Sequence, residues 1–220
     1  MSPTPLDEGA LARLKLAAEE LSYLTGRGYD PSAARELVAK TRALSEEQLA
    51  LVTRGACSET QYRARAAKEM LPEDIARRPL LVDAHDVLDT VTTALAGGAL
   101  LEGLDQTFQP IDGGGAADRL DEALAKIGPV LREMRPSKTT WLVAEAHPDA
   151  AALREKLPLA GKKWKVPVEV SVVADPKAAL RRAANVVTGD PGLIDASKSW
   201  CNVSGPVVAA IDGVRRVKLL

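Results

Sequence analysis

The chain has 220 residues, of which 46% are apolar and 27% charged, and a net charge of −1. That is an ordinary soluble profile, long enough for one large domain or a small and a medium one, and two near-neutral halves exclude a bulk attraction for nucleic acid. No apolar run approaches the roughly 18 residues of a membrane span, the start MSPTPLDEGA lacks signal-peptide character, and two isolated cysteines, Cys57 and Cys201, predict a reducing cytoplasmic setting with neither disulfides nor zinc.

The first half predicts helices only. Leu11, Leu14, Ala18, Leu21 and Leu24 recur at helical spacing on one face. TGRGYDP stops that helix at Gly26 and Gly28, and Asp30-Pro31 starts the next, cap then first turn. The second helix, about 31–42, turns Ala34, Leu37 and Val38 inward. Ser45-Glu46-Glu47-Gln48 is a capping box that opens a third helix carrying Leu49, Leu51 and Val52. A charged helical connector over about 58–70 leads to LPEDIARRP, the domain boundary. The expected organisation is a small helical unit over 1–58, a helical connector over 59–79 and an α/β domain over 80–220.

The second half alternates strand and helix. LLVD reads as a strand covered on both faces, and DVLDTVTTALAGG as a helix stopped at Gly97-Gly98. ALLE and TFQPID predict a small strand pair before a flexible GGG turn at 113–115. AADRLDEALAKIGPVLREM is amphipathic, with Leu120, Leu124, Ile127 and Leu131 on one stripe. TTWLVAE, VEVSVV and NVVTG are strands, each followed by a helical segment: PDAAALREKL, DPKAALRRA and PGLIDASKS. VVAAI-DG-VRRVKLL closes the chain as a hairpin over Asp212-Gly213. Repeated β–α units of this kind predict a mostly parallel sheet with helices on both faces.

In such a sheet, ligands bind beyond the carboxyl ends of the strands, where strand order reverses. Acids stand at three predicted strand ends: Asp83 with Asp86, Glu145, and Asp190 with Asp195. Left unpaired they would repel one another. Mg²⁺ removes the problem, taking one or two carboxylates and completing its octahedron with waters and substrate phosphates. That chemistry suits phosphodiester hydrolysis. The plainer alternative makes Asp190 and Asp86 helix caps, worth about 1 kcal/mol each. It leaves Asp195 in a turn facing water and Asp89 on a solvated helix face. Asp83 ends an apolar strand and precedes the predicted cap, which makes it the strongest candidate. His85 and His147 lie just past strand ends, where a His–carboxylate metal site competes with a plain loop role.

Residues 154–165 (REKLPLAGKKWK) carry Lys162, Lys163 and Lys165 around Trp164. That composition can track a phosphate backbone and stack one base, or it is a solvated loop protecting a sheet edge. The helices at about 31–42 and 45–54 also match a helix-turn-helix, whose second helix would enter a DNA major groove. That helix reads EEQLALVTR and is acidic at its leading end, which favours a bundle packed on the sheet domain.

The stretches YLTGRGYDPSAARELVAKTRALSEEQLALVTRGACS, VDAHDVL, ALAGGALLE, FQPIDG and VVTGDPGLIDASKSW resemble the family called "domain of unknown function 434", a helical unit followed by a PIN-like nuclease fold. The resemblance covers most of the chain. It implies a three-layer PIN-like domain, Mg²⁺ or Mn²⁺ as cofactor and RNA as substrate. Asp83 matches the first strand-end acid, and Asp190 with Asp195 matches the late acidic pair. Relatives usually read Gly-Tyr-Asn where this chain has Ala84-His85-Asp86, and Asp-Ser-Pro where it has Ala144-Glu145-Ala146-His147-Pro148. A one-residue slip on a strand reverses a side chain's face, so Glu145 is expected to point away. The resemblance thus implies a metal-dependent ribonuclease, with Asp83, Asp190 and Asp195 holding the ion and Asp86 or Glu145 completing the set. The alternatives are a catalytically silent RNA- or protein-binding module of the same fold and a DNA-binding regulator. No membrane partner is expected, and association into a homodimer stays open.

Overall fold

Helices form first along the chain because cap residues stand where the apolar stripes begin. The computed structural model describes residues 6–112, 115 and 117–220, so the expected turn at 113–115 lies mostly outside the described residues. Helix α1 (Glu8–Gly26) is capped by Asp7, whose side chain accepts the Ala10 amide at 2.7 Å. Asp30 caps α2 (Pro31–Arg42), and the Ser45–Gln48 capping box of α3 (Glu46–Gly55) is closed in both directions. A second capping box, Ser58 with Gln61, opens α4 (Glu59–Ala66), and α5 (Pro72–Ile75) is a single turn.

The α/β part runs β1 (Pro79–Asp83), α6 (Ala84–Leu95), β2 (Ala99–Glu102), β3 (Phe108–Pro110), a 3-10 turn (Ala117–Arg119) and α7 (Leu120–Met134). It continues with β4 (Lys138–Ala144), α8 (Ala150–Trp164), β5 (Val168–Val173), α9 (Pro176–Leu180), β6 (Val186–Val187) and α10 (Pro191–Ala196). β7 (Trp200–Cys201), α11 (Ser204–Ala209) and β8 (Arg215–Lys218) complete it.

Five strands make an all-parallel sheet in the order β5-β4-β1-β6-β7. The chain builds outward from β1 through β4 to β5, then returns to β1's other edge for β6 and β7. Strand order therefore reverses between β1 and β6. Period-two alternation sends Leu80, Val82, Trp141 and Val143 to one face, packed with α6, α7, α8 and α11. Leu81 and Leu142 face the other way, against Leu180 of α9 and Leu193 of α10. The three-layer expectation is met.

A second sheet, β3-β2-β8, has β2 antiparallel to β3 and parallel to β8. Its Leu100 and Phe108 pack with Ala94 of α6 and Val208 of α11. Ala99 and Leu101 face the opposite way, into the core that α1, α2 and α3 build from Leu14, Leu21, Val38 and Leu51. The helical unit is thus sealed by residues from the far end of the sequence, Leu219 among them.

Two expectations are corrected. The closing hairpin does not form, because Val207–Ala209 are the last turn of α11 and β8 finds its partner in β2. Gly213 keeps the expected turn, with φ of 72°. Trp200–Cys201 is a strand too short for periodicity to reveal. The 158–165 stretch is no loop: α8 continues through Pro158 to Trp164, whose ring is buried.

Candidate functional site

Asp83 is both the last residue of β1 and the N-cap of α6, one oxygen accepting the Asp86 amide at 3.4 Å. The cap therefore sits three residues earlier than expected, and Asp86 lies inside the first turn. Asp83 is 3% exposed, and its Oδ2 is buried with no hydrogen-bond partner among the described residues. Buried polar atoms are nearly always satisfied, so this orphan calls for an explanation.

Asp86 reaches the loop after β6. Its Oδ2 accepts the Gly189 amide and, at 3.2 Å, the Thr188 hydroxyl. Gly189 is required there, since a Cβ would meet the Phe108 carbonyl oxygen at 2.9 Å. Asp190 caps α10, its Oδ1 accepting the amides of Gly192 at 2.8 Å and Leu193 at 3.1 Å. Its other oxygen is paired with the Lys177 ammonium from α9. Asp83, Asp86 and Asp190 thus converge at the β1/β6 boundary, where the topology places ligand crevices.

The electrostatics follow from burial and mutual repulsion. Desolvation raises the Asp83 carboxyl above its ordinary range, and nearby Asp190 and Asp89 add to this. Asp86 is pushed up to about 7 by desolvation and by Asp83. Burial works the same way on Asp190, but the Lys177 ammonium outweighs it and holds that carboxyl below its ordinary range. Lys177 is raised in turn: against desolvation, its bond to Asp190 and the charges of Asp83 and Asp86 favour the ammonium. One further cation approaches from the helical unit: Arg54 donates to the Pro110 carbonyl at 2.8 Å and feels the Asp190 charge.

The other sequence candidates lie elsewhere. Asp195 takes two bonds from the buried Arg65, at 2.6 and 2.9 Å, and does not join the cluster. Glu145 is exposed, just past the end of β4. Lys162, Lys163 and Lys165 are exposed, but Trp164 is buried against Gly128 and tilted on Trp141 at 6.1 Å between ring centroids, so it offers no face to a base. Asp89 is half-buried rather than solvated. Lys177, Thr188 and Gly189 were not legible as site residues, because only the strand order brings them to Asp83.

Among the described residues no group of three or more His, Cys, Asp or Glu side chains is arranged as a metal cage. What the cluster offers is one unsatisfied carboxylate oxygen, a strained acid pair and a third acid held by a lysine. Among the same residues, no helix is long and apolar enough to cross a membrane.

A family model described as Domain of unknown function (DUF5616) matches residues 72–206. Another, described as Protein of unknown function (DUF434), matches residues 13–68. The likeness read from the sequence therefore divides: the model of that name covers the helical unit, and the α/β domain has a model of its own. No curated protein and no solved structure matches the chain.

Proposed function

Because the chain belongs to the family described as Domain of unknown function (DUF5616), whose model takes in the acidic crevice at residues 72–206, we propose that this crevice is a divalent-cation site serving phosphodiester hydrolysis in RNA. The single observation that carries the reading is the buried, partnerless Oδ2 of Asp83 beside Asp86 at the switch of strand order. A PIN-like assignment belongs to the same proposal and rests on that strand order with an acid closing its central strand.

Asp83 would hold Mg²⁺ or Mn²⁺ through the orphan oxygen, with Asp86 and Asp190 as neighbouring donors; Asp195 stays with Arg65. When bound, such an ion supplies positive charge to phosphate oxygens and lowers the pKa of water. The chain's own residues prepare the site. The Thr188 hydroxyl and Gly189 amide fix the Asp86 carboxylate in place. Lys177 neutralises Asp190, and its ammonium would be available to a phosphate if a cation shared that carboxylate. Arg54 adds a second cation at the rim.

The Lys177–Asp190 pair favours one other reading, a module that keeps the fold and uses the lysine as its permanent counter-charge. Calorimetry with Mn²⁺ and incubation with a mixed RNA pool separate the two. The first reading requires binding that Asp83→Asn abolishes, and Mn²⁺-dependent cleavage lost in the same variant. An absence of heat and of cleavage would leave the silent module.

A further inference from the structure

On the other side of the first turn of α6 lies a cavity of about 210 Å³, lined by His85, Asp89, Leu120, His147 and Leu153 among others. His85 and Asp89 are four residues apart and share a helix face. The Ala144 amide at the end of β4 donates to His85 Nε2 at 3.0 Å, and the Asp149 amide donates to His147 Nδ1 at 3.2 Å. These bonds lock the two rings face to face, with centroids 3.9 Å apart and planes 27° from parallel.

The result is a stacked imidazole pair that lines the cavity together with Leu120 and Leu153. The nitrogens that accept the amides cannot also hold a metal. The polar edge is a carboxylate. Gly115 lies against Asp89, whose carboxylate only accepts when ionised. The Thr92 hydroxyl is already committed to the Leu88 carbonyl at 2.7 Å. Gly115 brings the loop tight against the helix, where a Cβ would meet Thr92 Oγ1 at 1.8 Å.

A cavity lined by an imidazole stack and a carboxylate suits a planar ligand that stacks on the outer ring and donates to the acid. Proteins recognise unpaired RNA bases by stacking on aromatic rings, histidine included, and by hydrogen bonds to the Watson–Crick edge. Among the four bases, guanine presents two adjacent donors there, N1–H and the exocyclic amine, matching the two oxygens of one carboxylate. We propose that the His85–His147–Asp89 cavity is a guanine-selective base pocket, which seats an RNA strand with its phosphodiester at the Asp83–Asp190 crevice. The inference rests on the RNA reading above and names the nucleotide it would select.

Nucleoside binding in chelator tests the pocket without needing the cation. Guanosine should bind at least about tenfold tighter than adenosine, with inosine, which lacks the amine, in between. Asp89→Asn should erase that preference. His147→Ala should weaken guanosine about tenfold, and His147→Phe should restore it. Equal binding of all four nucleosides, no saturable binding, or a preference untouched by Asp89→Asn would overturn the pocket. So would binding of arginine amide in place of any nucleoside, which would mark a site for cations. If Mn²⁺ binds and RNA is cleaved with no preference at guanine, the pocket alone fails. If guanosine binds but Mn²⁺ does not, the hydrolase reading alone fails.

Discussion

Arg65 grips Asp195 through two parallel bonds, 2.6 and 2.9 Å long, between residues 130 positions apart in sequence. The same guanidinium donates to Asp105 at 3.0 Å, so one α4 side chain ties α10 to the loop between β2 and β3. Lys68 adds bonds to the carbonyls of Ile194, Asp195 and Ser197, and the Trp200 indole donates to the Arg65 carbonyl at 2.9 Å. The connector is therefore bolted to the sheet domain, and Asp195 is spent on that bolt.

Breaking the bolt from the two ends should cost different amounts. Arg65→Ala strands Asp105, whose side chain is only 5% exposed, and should lose about 3–5 kcal/mol. Asp195→Asn removes a charge whose side chain is 38% exposed and should cost about 1 kcal/mol or less. Urea unfolding gives both numbers, and comparable losses from the two variants would contradict the assignment.

On the proposed cation site, the orphan oxygen of Asp83 should make stability depend on divalent ions. Saturating Mn²⁺ at about a hundred times its dissociation constant should stabilise the wild-type chain by about 2.7 kcal/mol. Asp83→Asn should show no such gain. In chelator the same variant should melt higher than wild type, since a buried charge is gone. A wild-type melting temperature indifferent to Mn²⁺ would remove the cation from the account.

Two half-buried groups set opposing pH dependences. Asp86, held up to about 7 by desolvation and by Asp83, keeps a proton that the unfolded chain releases near 4, so stability falls as pH rises between about 4 and 7. His85, lowered to about 4 by desolvation and by His147, stays neutral where the unfolded imidazole is charged. Its contribution is therefore lost as pH falls from about 6.5 to 4. In chelator the two slopes offset each other between about pH 4 and 6.5 in the wild type. Asp86→Asn should leave stability rising with pH there. His85→Gln, which keeps an acceptor for the Ala144 amide, should leave it falling. Urea midpoints across that range decide the matter, and parallel profiles for the two variants would refute the opposition.

Gly128 marks where Trp164 went. A Cβ on Gly128 would meet Trp164 Cδ1 at 2.1 Å, so Gly128→Ala must displace the ring. The expected loss is about 1–3 kcal/mol, with a red-shifted tryptophan emission as the ring meets water. An unchanged spectrum and stability would mean that the indole is not packed there.

Local chemistry was legible in the sequence. Ser45 with Gln48 and Asp30 before Pro31 each begin a helix where read, and apolar runs before Asp83 and Glu145 each form a strand. Alternating β–α units were enough for a parallel sheet with two helical layers. Such signals act over a few residues, so a single chain carries them openly. Short elements escaped: Trp200–Cys201 is two residues long and is held between β6 and a bridge to Glu69 of the connector.

Which side chains meet was decided by the tertiary structure alone. Asp83 and Asp190 are neighbours because β6 returns to β1's free edge, and nothing in either local sequence states that order. Asp195 reads like Asp190, five residues away, yet an α4 arginine claims it. Trp164 sits among surface lysines, and a helical glycine from α7 draws its ring inside. Spacing along the chain sets backbone conformation and facing. Proximity across it depends on strand order and on the packing that buries each ring and pairs each charge.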